Sequence, residues 1–416
     1  MIKKILVVVD SINIEDSSGS KANVALINNL NEAGFELLVY HYTRKNIQLK
    51  NITTIEIPEI KWGSFYFLSR FQRVISRNFK VNLVPFFEKR FGFSFTFFND
   101  TKSISKAVKK QSFNPDLVLT LSKGASFRSH HAVLQLPDLH DKWMAYIHDP
   151  YPFHYYPRPY NWVEVGHDFK ESFFKKLSEK AKYSAFPSEL LKEWMSSYFP
   201  QFAETGIVIP HQNEKYEVQD NSFPSYFNQS KFNLLHAGNL MKQRSPEALL
   251  KGFLLFLENN PSAEKDAQLI LLGDASYHTK TLEYYQENIP QVYIYNGHKP
   301  FDEVYHLQKN VSVNIILEAK AEISPFLPAK FPHCVEADKM ILSLAPYYSE
   351  TRRLLGEDYT FWSEADDVKK IASLIEKLYL LWKESPDNLR LNRNDLEEYV
   401  SGRHLQKIIN NLKDNQ

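Results

Sequence analysis

The apolar run Met144–Ile147 in WMAYIHDPYPFHYYP stops at His148 and Asp149, and a proline-broken aromatic segment follows. An imidazole and a carboxylate at a strand end can bond a sugar hydroxyl or assist proton movement near neutral pH, with the carboxylate raising the imidazole pKa or positioning an acceptor. The same pair also fits a capped turn before proline, in which case Asp149→Asn would cost stability more than chemistry. His140, Asp141 and His154 lie close by in sequence, but no Asp-x-Asp occurs anywhere in the chain, and no metal is expected.

The second half offers cations instead. In LLHAGNLMKQRSPEALLKGF a strand ends at Gly238, and Ser245–Pro246 predicts a helix start, a serine N-cap with proline at the first helical position. Lys242 and Arg244 lie between. A glycine that lets the backbone approach a ligand, a helix N-terminus and two cations suit a diphosphate; a solvated loop with two surface cations fits the spacing equally well. In EISPFLPAKFPHCVEADKMILSL, Ser324, Pro325 and Pro328 restrict the backbone ahead of another helix start. Lys330, His333 and Glu336 then follow at i, i+3 and i+6 and can share one helical face; the plain alternative is a helix whose polar face is wet. Near the N-terminus, Gly19 and Ser20 in SSGSKANVAL either bring a helix N-terminus to a phosphate or acceptor or form a flexible turn.

The elements needed to position these residues are legible. KKILVVVD, the amphipathic stretch SGSKANVALINNLNEAGF and ELLVYHY read as strand, helix and strand, and short apolar runs recur at DLVLTL, WMAYIH and KYSAFPS. After GIVIPHQNE and a polar stretch to Ser230, FNLLHAGNL, AQLILLGDA, VYIYNGH, VSVNIIL and KMILSL repeat the pattern. Alternating strands and helices predict parallel sheets, so the expected class is α/β: two Rossmann-like domains facing each other, with ligand beyond the carboxyl ends of both sheets, in an interdomain cleft. The expected boundaries are 1–205, 206–395 and a C-terminal helix, 396–416, that could cross back to the first domain.

Composition narrows the partners. The 416 residues suit two domains, and 50 Lys+Arg against 49 Asp+Glu give a net charge of +1, so nucleic acid is not expected and any anion site must be local. The one cysteine, Cys334, excludes a disulfide framework and suits the cytoplasm. The opening apolar run Ile5–Val9 halts at Asp10, too short for a signal peptide, and no apolar segment reaches membrane-spanning length. Residues 61–98 interleave aromatics with Lys61, Arg70, Arg73, Arg77, Lys80, Lys89 and Arg90 against the single acid Glu88. That segment reads either as a surface lying on anionic lipid or as core aromatics with solvated cations.

This layout resembles family 4 glycosyltransferases and their relatives of the GT-B fold over nearly the whole chain, most strongly from about Phe232 to Leu344. In that family the first loop reads Gly-Arg-Leu with a lysine six residues after the glycine; here Asn239 follows Gly238, Arg244 stands at the lysine position, and Lys242 substitutes for the missing cation. The family's Glu-x7-Glu pair falls on Pro325 and His333, so both carboxylates are absent. The remaining Ser-Pro-x-x-Pro-x-Lys loop, with Ser324, Phe326 and Lys330, is similar to a branch whose amides and lysine grip the diphosphate. Gly297 and His298, in VYIYNGHK, match the turn bordering the base pocket. His148 matches a strand-end residue that faces the donor sugar, with Asp149 beside it.

The resemblance implies a retaining glycosyltransferase acting on a nucleotide-diphosphate sugar, which is a substrate and not a cofactor. The implied acceptor is a saccharide or lipid-linked molecule, in bacterial surface polysaccharide or glycolipid synthesis at the inner face of the membrane. An epimerase or hydrolase of the same fold, or a non-catalytic nucleotide-sugar-binding protein, is the alternative, and the missing glutamates favour the latter.

Overall fold

The computed structural model describes residues 2–213 and 222–412. These fall into two compact units, one formed by residues 2–156, 161–212 and 400–412, the other by 157–160, 213 and 222–399.

The first unit holds a seven-stranded sheet of β1 (Lys4–Val9), β2 (Glu36–His41), β3 (Thr53–Glu56), β4 (Leu117–Leu121), β5 (Trp143–Tyr146), β6 (Tyr183–Phe186) and β7 (Gly206–Val208). Its order is β3-β2-β1-β4-β5-β6-β7, and every pairing is parallel. β4 is buried at all five positions, because helices cover both faces of such a sheet and no alternating polar face is needed. Two clusters fill those faces, one around Leu6, Val118 and Trp143, the other around Val7, Leu119 and Met144. Helix α1 (Ser18–Glu32) begins where Ser17 accepts a hydrogen bond from the Ser20 amide. Three more helices, α2 (Ser64–Phe79), α3 (Val84–Phe91) and α4 (Phe95–Lys109), intervene before β4, and α5 (Arg128–Leu134) follows it.

The second unit repeats the plan with β8 (Phe232–Ala237), β9 (Ala267–Gly273), β10 (Val292–Asn296), β11 (Val313–Leu317), β12 (Ile323–Ser324), β13 (Met340–Leu344), β14 (Tyr348–Ser349) and β15 (Trp362–Ser363). The main sheet runs β10-β9-β8-β11-β13-β15, while β12 and β14 form a separate parallel pair. Strand order reverses beside the first strand of each sheet, between β1 and β4 and between β8 and β11, and such switch points open a crevice at the strand carboxyl ends.

Two boundaries differ from expectation. Gly206–Val208, assigned from sequence to the second domain, pairs with β6 and closes the first sheet; a three-residue edge strand carries too little pattern to declare its sheet. The last segment, read as one helix, is two. Asn394–Tyr399 belongs to the second unit and Gly402–Asn411 to the first, because Ser401 caps the His404 amide and starts a new helix there. That second helix buries Leu405 and Ile409 in the first unit, and Gln406 donates to the Ala33 carbonyl at 2.6 Å. The end of GIVIPHQNE at Glu214, the polar stretch to 221 and residues 413–416 lie outside the described residues.

Candidate functional site

In the first unit the site grows from the end of β1. Asp10 is buried and accepts hydrogen bonds from the Ser126 hydroxyl, the Lys123 amide (3.2 Å) and the Ser129 amide (2.9 Å). It thereby fixes a loop that turns through the left-handed region at Gly124 and Phe127. Gly19 packs against this loop: a Cβ there would stand 3.1 Å from the Gly124 nitrogen, so glycine lets α1 approach. Ser20 is buried and its hydroxyl lies 3.1 Å from that of Ser17. The structure thus gives the first glycine loop a structural task, seating α1.

α1 also carries Asn23, which sequence reasoning did not single out. Its amide nitrogen donates to the Ser122 carbonyl at 2.9 Å, so its side-chain oxygen must be the group 2.9 Å from His148 Nε2. His148 therefore carries its proton on Nε2 and presents Nδ1 as an acceptor. The ring is 9% exposed, and burial, aided by His211 and His130, holds its pKa well below 6.5. This reverses the expectation that a neighbouring carboxylate raises it: His148 is a neutral imidazole across the physiological range. His211, just past β7, lies nearly parallel to it at 5.8 Å and is pushed down to about 4 by burial. The misassigned strand hid His211 from the sequence reading.

Asp149 is half-buried, and burial pushes its carboxyl up to about 6, against a hydrogen bond from Tyr156. A folded-state pKa above the unfolded value of 3.8 means that stability falls as pH rises between these two values. Asp149→Asn keeps an oxygen for Tyr156 and removes the buried charge. Its melting temperature should match wild type near pH 4 and exceed it near pH 7, by on the order of 1 kcal/mol in stability, which thermal denaturation at both pH values checks. A variant that is less stable only at neutral pH would restore the capped-turn role that needs the charge.

The other histidines disperse. His140 packs against Trp143, and His154 against Tyr155 and His167. Among the described residues no cluster of three His, Cys, Asp or Glu could hold a metal ion.

In the second unit β8 ends at Gly238, and Gly273, closing β9 at φ 140°, lies so close that a Cβ there would meet the Gly238 carbonyl. The following loop folds on itself: the Arg244 amide donates to the Met241 carbonyl at 2.8 Å, and its guanidinium to the Asn239 carbonyl at 3.3 Å. The helix expected at Ser245–Pro246 starts one residue later, at Glu247, with Pro246 as its N-cap. Lys242 is exposed on the loop.

Lys330, at the N-cap of the short helix Phe331–Glu336, sends its ammonium to this strand end, 3.3 Å from His236 Nδ1. A Cβ on Gly238 would stand 2.7 Å from Nζ, so the glycine makes room for the cation. Burial, helped by Arg244, pushes Lys330 down to about 7. Among the described residues neither Lys330 nor Arg244 has a carboxylate within ion-pair distance.

Glu318, just past β11 and so at the switch point, was missed. It is 3% exposed, accepts from the Ser324 hydroxyl and has its pKa raised by burial. Ser324 is thereby committed to anchoring its own strand, and Phe326 meets the edge of the Tyr160 ring. The face predicted for Lys330, His333 and Glu336 divides. His333 sits against the rings of Phe301 and Tyr305, while Glu336 accepts from the Tyr305 hydroxyl at 2.6 Å and pairs with Lys309 at 3.2 Å. The helix Phe301–Asn310 thus engages both of those side chains, in place of the loop expected from sequence to hold them. Gly297 faces Tyr295, His298 is exposed, and the neighbouring Lys299 is held by Glu303 and the Tyr295 ring.

No protein-family model matches the sequence, and no curated protein does. Solved structures do match. Trehalose-6-phosphate synthase OtsA superposes with a TM-score of 0.66 at 12% identity, covering 99% of this chain and 99% of that one. A UDP-forming α,α-trehalose-phosphate synthase from Burkholderia xenovorans, solved with glucose-6-phosphate, gives 0.64 at 9% identity over 99% and 100%. Anabaena HepE, solved with UDP and glucose, gives 0.58 at 10% identity over 100% of both chains. At these identities the shared property is the fold, two parallel-sheet α/β units of GT-B type.

Proposed function

We propose that this chain is a glycosyltransferase that takes a sugar from a nucleotide-diphosphate donor, with retention, and passes it to a saccharide or lipid-linked acceptor. One observation carries the reading: Arg244 and the buried Lys330 act on one another at a switch-point strand end, where Glu318, the carboxylate that acts on both, forms an ion pair with neither and is held by Ser324. A buried ammonium beside a guanidinium is costly, Glu318 offsets that cost only from beyond ion-pair distance, and a departing diphosphate is an anion that would complete the balance. His148, neutral and acceptor-ready at Nδ1, suits a sugar hydroxyl. The fold likeness to proteins solved with UDP, glucose and glucose-6-phosphate supports UDP-sugars as the first donors to try. The cytoplasmic setting is inferred from the lone Cys334, and the link to bacterial surface polysaccharide or glycolipid from the family resemblance.

The purified chain, given a panel of nucleotide sugars headed by UDP-glucose, should release nucleoside diphosphate faster with saccharide acceptors, and should do so in EDTA, since cations stabilise the leaving group. Donor epimerised without release would assign an epimerase, and tight nucleotide binding with no turnover a binding protein. Activity abolished by EDTA and restored by manganese would bring metal chemistry back.

A further inference from the structure

Helix α2 is inside out. Its buried residues are Ser69 and Gln72, at i+4 and i+7 from Phe65, which stacks on Phe98 of α4, while Phe67, Phe71 and Val74 at i, i+4 and i+7 are exposed. A water-soluble surface helix turns its apolar stripe inward, so this stripe is built to meet something else. It runs to the helix's last residue and beyond both ends: Phe79 is 72% exposed, Trp62 before the helix 81% and Phe86 after it 68%. The aromatic segment 61–98 thus changes character at Gly92. Phe93, Phe95 and Phe97 are buried, whereas before it Phe65 and Phe87 are half-buried against Phe98 and Phe95 and the other phenylalanines are exposed.

The charges alongside identify the partner. Arg70, Arg73 and Arg77, at i, i+3 and i+7, form the row next to the apolar stripe, and Lys61, Lys80, Lys89 and Arg90 extend it. Seven cations and one acid lie in residues 61–91, in a chain whose net charge is +1. Glu88, the one acid, is turned to Lys170 at 3.5 Å. Arg70 pairs with Glu59 at 3.3 Å and Arg73 donates to the Thr96 hydroxyl, which leaves Arg77 and the lysines as the cations that define the surface. We propose that α2, α3 and Trp62 form a docking surface for an anionic lipid bilayer, the aromatics entering the headgroup boundary and the cations meeting phosphate. A second copy of this chain is disfavoured because it would bring the same cations face to face. No described helix is long and apolar enough to cross a membrane, so the contact is peripheral. The inference does not depend on the transfer reaction, and its test contains no nucleotide sugar.

The full chain should sediment with vesicles of phosphatidylcholine and phosphatidylglycerol, fail to sediment with phosphatidylcholine alone, and be released by salt. Trp62 is the one exposed tryptophan, so binding should blue-shift the emission, and Trp62→Phe should remove that shift. Arg77→Gln with Lys80→Gln should weaken binding about fivefold per charge, and Phe71→Ser with Phe79→Ser should abolish it while circular dichroism stays unchanged. The proposal is overturned by any of three results: no binding to phosphatidylglycerol vesicles at low salt, binding indifferent to both double variants, or a dimer dissolved by Phe71→Ser with Phe79→Ser in a chain that ignores vesicles.

Discussion

Lys330→Ala is expected to weaken nucleoside diphosphate binding by about 1–3 kcal/mol, the scale of a lost charged hydrogen bond, and to remove most of the pH dependence of that binding. In the free protein Lys330 is pushed down to about 7. A bound diphosphate favours the ammonium and restores its pKa, so above that value binding must take up a proton. Affinity should be flat below about pH 7 and fall by up to about tenfold per unit above it. Calorimetry near pH 8 in two buffers of different ionisation enthalpy measures the uptake, and Lys330→Ala corrects for the nucleotide's own titration. Stability has the opposite sign. A lysine depressed in the folded state costs stability fully below pH 7 and progressively less toward 10.5, so Lys330→Ala should not lower the melting temperature at neutral pH. Gly238→Ala should mimic part of the binding loss, because its Cβ would stand 2.7 Å from Nζ and force the ammonium to shift. Wild-type affinity in Lys330→Ala, or no proton uptake, would remove the diphosphate assignment.

The same strand ends show what sequence can and cannot reveal. β4 and β8 were plain because helices cover both faces of each sheet and leave mainly apolar runs, broken only by Thr120 in β4 and by Asn233 and His236 in β8. Gly238 and Lys330 were found through local pattern, although nothing local says that one makes room for the other. Glu318 was invisible: a carboxylate after an apolar strand reads as the chain returning to water, and its burial depends on Ser324 and on cations from other loops. Glu336 failed in the other direction. Its helical spacing from Lys330 was right, but Tyr305 and Lys309 on a neighbouring helix compete for it, and tertiary partners override periodicity. α2 misleads any pattern reader, since its amphipathicity is strong and points outward.

His148→Ala is expected to lower turnover about ten- to hundredfold while leaving nucleoside diphosphate affinity near wild type, because only a contact to the sugar is removed. The neutral state sharpens the test. An imidazole held well below 6.5 does not change charge above that value, so the His148 contribution should be constant from about pH 6.5 to 8.5. Burial sets this state, and Asn23, by accepting from Nε2, fixes the tautomer and so acts as a positioning residue. Asn23→Asp exchanges that acceptor for a carboxylate, which stabilises the imidazolium; the fall in rate on acidification should move up toward neutral pH. A merely structural role for Asn23 predicts an altered melting temperature with an unmoved pH profile. Turnover in His148→Ala equal to wild type would end the sugar contact, and a capped turn would then account for the pair at the end of β5.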